Sequence, residues 1–199
     1  FLAMTALAWS LFQLWIASPI PFVVGWGVLN DTETRSIHLA FAIFLGIAAF
    51  PAARTKVQLG LGVAVPIILA YLFMVGAKDG TPTWWIPLVA IAVVATVVLG
   101  SPKDRIPVWE WILAVVGAAA ALYLFVYYRE ISGRVGAPNM QDTVVFVIGI
   151  MILLEATRRA LGPALMIVAS VFLIYNVLGP VMPDIIAHKG NSLSEIVNH

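Results

Sequence analysis

Glu155-Ala-Thr-Arg158-Arg159, directly after an apolar stretch, is the most interesting group of charges in this chain. Glu155 stands three and four positions before the two arginines. Those spacings put side chains on one helix face, with the glutamate in the favoured N-terminal place. The chemistry available to such a group is ion pairing and hydrogen bonding to anions. Its structural reading is an interfacial salt bridge that ends a helix. Its functional reading is that Arg158 or Arg159 docks a partner subunit or lipid headgroups. A place on a substrate pathway is the weakest of the three readings, because charges at membrane depth are costly and these fall at a helix end.

A second group, Arg129-Glu130, Arg134 and Asp142, is spread among Gly133, Gly136 and Pro138. It reads as a polar loop, either simply solvated or a docking surface. Asn139 or Asp142 suits the cap of the helix that follows. The three histidines, His38, His188 and His199, lie far apart. A metal site needs ligands at defined spacing. A helix-end hydrogen bond is the better reading of His38 than a ligand role. There is no His-Glu-x-x-His, no Gly-x-Ser-x-Gly and no phosphate-binding glycine loop. No metal, cofactor or catalytic residue is assigned, and an intramembrane enzyme is not expected. Asn30-Asp31-Thr32 fits a glycosylation acceptor, but such triplets are common by chance.

The elements that must position these residues follow from composition. Of 199 residues, 62% are hydrophobic and only 11% are charged; the mean hydropathy is +1.01. A soluble domain carries about a quarter charged residues. Continuous apolar runs, rather than alternating polarity, select helices over a barrel as the way to satisfy the backbone in lipid. The expected fold is all-α and polytopic, with about seven transmembrane or re-entrant helices. The net charge of +1 gives no hint of nucleic acid, and the absence of cysteine excludes disulfides and thiol chemistry.

The expected spans are Phe1 to Ala17, Arg35 to Ala53, Val57 to Ala77, Trp84 to Gly100, Val108 to Tyr128, Asp142 to Thr157 and Pro163 to Val181. Ser18-Pro19-Ile20-Pro21 stops the first span, and Phe22 to Leu29 reads as an interfacial or re-entrant piece. Pro66 should kink the third span. In the sixth, only Thr143 to Leu154 is free of charge. It crosses if its arginines snorkel; otherwise it is a half-helix that turns back at Gly162-Pro163. Trp84, Trp85, Trp109, Trp111, Tyr127 and Tyr128 stand at span ends, either as an aromatic belt, the favoured reading, or packed against a neighbouring helix. The small residues Gly117 to Ala121, and Gly60 with Ala64, suit close helix packing. The even breaks hold Arg54, Lys56, Lys103, Arg105, Arg158 and Arg159, six of the 11 cations. By the positive-inside bias, they place the amino end in the cytoplasm and the carboxyl end outside. The centres of the third to fifth spans are almost free of polar residues, and no internal repeat is visible. Both features suit a membrane scaffold more than a solute pathway.

Five segments, in order, carry a resemblance. They are Arg35-Ser-Ile-His38-Leu-Ala-Phe with Phe50-Pro51-Ala; Pro107-Val-Trp109-Glu-Trp111; Tyr127-Tyr-Arg129 with Arg134-Val-Gly136-Ala-Pro138; Leu154-Glu155-Ala-Thr-Arg158-Arg159-Ala-Leu-Gly162; and Tyr175-Asn-Val-Leu-Gly179-Pro180 leading to His188-Lys-Gly190. From about Arg35 to His199 this order resembles the amino-terminal part of fused permeases of TAXI-type TRAP (tripartite ATP-independent periplasmic) transporters. The resemblance implies a small-subunit region with extra helices. A large membrane domain would follow and carry the substrate and the sodium or proton sites, so none of those sites is carried over; Glu155, Arg158 and His188, in the matching segments, are packing or docking candidates. It implies two protein partners, that large domain and a periplasmic TAXI-type binding protein that delivers organic anions such as dicarboxylates or amino acids. The expected organisation is a first helix and proline-broken connector at 1–30, a helical membrane domain at 31–182 and a polar lead-out at 183–199, in a bacterial or archaeal plasma membrane. A start without Met points to a fragment, a processed chain or one part of a longer polypeptide. A self-contained small carrier or channel is the alternative.

Overall fold

Side-chain caps and prolines punctuate the chain into helices. Asn30 accepts the Glu33 backbone N–H at 2.8 Å while the Glu33 carboxylate accepts the Asn30 N–H at 2.9 Å, a reciprocal cap. Asn139 and Asp142 repeat it at 2.8 and 2.9 Å. Thr55 caps a third helix. Proline stands in the first turn of three others, where its missing N–H costs nothing. The computed structural model describes every residue except Arg54, Asp79, Lys103, Asp104 and His199, and the side chain of Asn198. Arg54 and Lys103, two of the cations used for orientation, and His199 therefore lie outside the described residues.

The elements in order are α1 (Leu2–Ala17), α2 (Ile20–Val24), α3 (Asp31–Ala48), α4 (Lys56–Gly76), α5 (Ile86–Leu99), α6 (Val108–Val126), α7 (Tyr128–Ser132), α8 (Met140–Ala160), α9 (Pro163–Leu178), a 3-10 turn (Gly179–Val181) and α10 (Leu193–Asn198). No strand occurs among the described residues. Four helices are long and apolar enough to cross a membrane: α4, α6, α8, and α9 continued through its turn to Val181. This marks the protein as membrane-embedded. The expectation of seven spans is met only in part. α1 and α5 are apolar but have 16 and 14 residues. At about 1.5 Å per residue they fall short of a core of about 30 Å. α3 has 18 residues, but Asp31, Glu33 and Arg35 occupy its first turns.

The long helices alternate in direction. One end of the bundle gathers the ends of α3, α5 and α8 with the starts of α4 and α6; the other gathers the ends of α4, α6 and α9 with the starts of α3 and α8. α3, α6 and α8 pack at the centre through a core that includes Ile43, Ile47, Met151 and Ile152. α4, α5 and α9 flank them, and α1 lies outside against α3 without a buried residue of its own. The sixth expected span is a continuous helix of 21 residues rather than a half-helix. It runs on to Ala160, and Gly162 at φ +91° turns the chain into α9. α4 likewise continues through the buried Pro66.

In lipid the hydrophobic effect does not drive helices together, so close packing must. Gly117 is where this matters most. A Cβ there would lie 2.6 Å from both Ile43 Cγ2 and Ile152 Cγ2, so α3, α6 and α8 meet across a bare backbone. The expected Gly60 and Ala64 pair is different: both are exposed, and it is Gly62 that faces inward, against Val97 and Arg158. Gly117→Ala should therefore destabilise the fold by about 1–3 kcal/mol through overpacking. Gly60→Ala, with open space around it, should be neutral or gain up to about 1 kcal/mol. Thermal unfolding of the two variants in detergent micelles checks the contrast; equal melting would remove the case for a three-helix close approach.

Candidate functional site

The charges that the sequence grouped at the end of α8 do not face outward. The Glu155, Arg158 and Arg159 side chains retain 1%, 1% and 0% exposure, and Glu110 from the first turn of α6 retains 3%. Arg158 grips Glu155 with two parallel bonds, Nε to Oε2 at 2.8 Å and Nη2 to Oε1 at 2.6 Å. Arg159 donates from Nε to the same Oε1 at 2.6 Å and from Nη1 to Glu110 Oε1 at 2.9 Å. Two carboxylates and two guanidiniums make a neutral set.

The arginines also reach backbone carbonyls far away in the chain. Arg158 donates to the carbonyls of Gln58, at 3.0 Å, and Ala52. Arg159 donates to the carbonyl of Ile47 at 3.4 Å, in the last turn of α3. Ser101 donates its hydroxyl to Glu110 and accepts the Ala52 backbone N–H at 2.7 Å. The segment between α3 and α4, the segment between α5 and α6, the start of α6 and the end of α8 thus converge on one ionic knot. Helix dipoles favour it: the arginines sit at C-terminal ends and Glu110 at an N-terminal one. Arg159 Nη2 is buried without a partner among the described residues. The chemistry here is structural, because every carboxylate oxygen and guanidinium bond just described ends inside the protein. The Arg158 and Arg159 side chains thus lie inside the bundle rather than at its surface.

At the opposite end, Asp142 accepts from Arg134 Nε at 3.1 Å and Nη2 at 2.8 Å, and from the Tyr123 hydroxyl at 2.7 Å. The hydrogen bond to Asp142 pushes the Arg134 guanidinium further up from its already high pKa. Arg129 is exposed on α7. His188 is a wedge: its Nδ1 accepts the Gly190 N–H at 3.0 Å and its Nε2 faces the Tyr175 carbonyl at 3.0 Å, which selects the Nε2-protonated tautomer. The segment that follows folds back onto the bundle. Asn191 pairs with Asn176, and Leu193 and Ile196 are buried. Glu195 caps α10 through the Ser192 N–H at 2.7 Å. That bond, then Lys189, holds its carboxyl below the usual range. His38 is bonded not to its own helix end but to Trp9 of α1, whose indole N–H reaches Nδ1 at 2.7 Å.

Glu110, Ser101 and Tyr123 escaped the sequence reading as site residues. Glu110 did carry a signal: an isolated carboxylate at the start of an apolar span, on the same side as the Arg158-Arg159 pair. The grouping of cations in the even breaks also has a second cause, since Arg158 and Arg159 answer Glu110 and Glu155. No family model, curated protein or solved structure matches the chain.

Removing one member of a buried pair leaves an uncompensated charge and costs about 3–5 kcal/mol. Glu110→Gln should lower stability by that order, and adding Arg159→Met should restore part of it, with a coupling of about 0.5–3 kcal/mol. Melting of the two single variants and the double variant in micelles measures this. Strictly additive losses would mean that the Glu110 and Arg159 side chains act independently.

Proposed function

We propose that this chain is the accessory, bracing membrane region of a binding-protein-dependent, ion-coupled secondary transporter of the TAXI-type TRAP class, for organic anions such as dicarboxylates or amino acids. The observation that supports this reading best is the ionic knot. The four charges most deeply placed are spent on one another and on backbone carbonyls, which stiffens helix connections and offers nothing to a passing solute. A rigid bundle with an apolar exterior suits the task of holding a moving neighbour in the bilayer. In this reading the large membrane domain carries the solute and the sodium or proton, and a periplasmic binding protein delivers the solute. The membrane is the plasma membrane of a bacterium or archaeon, with the amino end of this region cytoplasmic.

The second reading, a self-contained carrier or channel, draws on a cavity of about 460 Å³ that Arg134 and Asp142 line. Purified chain in liposomes separates the two. We expect no solute-dependent uptake of dicarboxylates or amino acids under an imposed sodium or proton gradient, and co-purification with a large polytopic permease domain when both are expressed together. Uptake by this chain alone would sink the scaffold reading.

A further inference from the structure

The cavity of about 460 Å³ lies between α3, α6 and α8, within the range of small-molecule sites. Its α8 wall is one helix face, Asp142, Val145, Phe146, Gly149, Ile150 and Leu153, spaced by threes and fours. From Asp142 to Leu153 the helix rises about 16 Å, roughly half of a hydrocarbon core of about 30 Å. The cavity is therefore a groove along the helix, not a round pocket. Its polarity is graded. Arg134, Asp142 and Tyr123 stand at the mouth, while Leu39 and Ile43 of α3 and Leu153 of α8 close the inner part. Two of the five guanidinium N–H donors of Arg134 go to Asp142, and 30% of its side chain stays exposed at the rim. Gly149 widens the floor, since a Cβ there would meet only Ala120 Cβ, at 3.5 Å.

A half-bilayer depth, an apolar trough parallel to the helix axes and a cation at the interface end are the dimensions of one membrane lipid. We infer that the groove is a phospholipid site, with one acyl chain along α8 between α3 and α6 and the headgroup phosphate against Arg134. Guanidinium suits that contact because its planar fork matches phosphate oxygens. Ile196 and Val197 of α10 also line the groove, so the folded-back segment forms part of the same wall. The inference depends on the membrane location alone and stands apart from the transporter reading.

The test uses the full chain in vesicles of phosphatidylethanolamine and phosphatidylglycerol, with a trace of phospholipid that carries a photoactivatable group in mid-chain. Labelling at Val145, Gly149 and Leu153 should saturate as the probe fraction rises, whereas labelling on the outward face of α1 should rise linearly. In native mass spectrometry, Gly149→Leu should cut the retained phospholipid at least tenfold. Gly60→Leu, on an open outer face, should leave it unchanged, and Arg134→Gln should weaken it severalfold without moving the label. Linear labelling in the groove, undiminished retention in Gly149→Leu, or cross-links from groove residues to protein instead of lipid would overturn the assignment. If Gly149→Leu fails to fold, the saturation measurement on the unaltered chain decides.

Discussion

Burying a charge away from water is the most expensive thing this chain does, and the arrangement of one whole end of the bundle follows from it. A lone guanidinium or carboxylate in an apolar interior is penalised by several kcal/mol even after relaxation. Glu110, Glu155, Arg158 and Arg159 escape that penalty only together, with carbonyls from Ile47, Ala52 and Gln58 completing the set. Each bond has a geometric demand. The segments between α3 and α4 and between α5 and α6 have to lie where the guanidiniums and Glu110 can reach them, and α6 has to start beside the end of α8. Such a knot adds little net stability over a well-packed apolar substitute. What it adds is specificity: few other arrangements of the same helices satisfy all four charges.

The rest of the bundle is specified by shape. With lipid outside and apolar helix faces inside, transfer from one to the other gains little. Contact quality decides instead, and Gly117 lets three helices meet where any side chain would hold them apart. The two ends of the bundle consequently differ in character. One is clamped by charge-assisted bonds, which are roughly twice as strong as neutral ones. The other is closed by the His188 wedge, the pairing of Asn176 with Asn191 and the burial of Leu193 and Ile196, with ion pairs that keep more contact with solvent, Arg134–Asp142, Lys189–Glu195 and Arg35–Asp31.

Much of this was legible in the residues. The all-helical fold, the stop at Ser18-Pro19, the restart at Pro163 and the cap at Asn139 follow from local rules that tertiary packing leaves intact. Span lengths were less legible. α3 ends at Ala48 rather than Ala53 because Pro51 cannot continue the helix and restricts Phe50 before it, and bonds from Arg158 and to Ser101 then hold the segment at Ala52. The depth of the ionic group was illegible for a related reason. Spacing of three and four reveals that Glu155 and the arginines share a face, but not whether that face looks in or out. The answer depended on Glu110, 49 positions from Arg159 in sequence. His38 shows the same limit: its hydrogen bond was expected, but a partner on α1 could not be read from α3.

The order of the charges along the chain bears on how the protein is made. Glu110 emerges from the ribosome before either arginine of the knot, 49 positions ahead of Arg159. Its counter-ion, Arg159, follows only when α8 has been synthesised. Until then Glu110 lacks the guanidinium that pairs with it in the complete fold. The bond that ties the start of α6 to the end of α8 can therefore close only after α8 has been made. A chain that stops before Arg159 therefore carries a carboxylate at the start of α6 without the guanidinium that answers it in the complete fold.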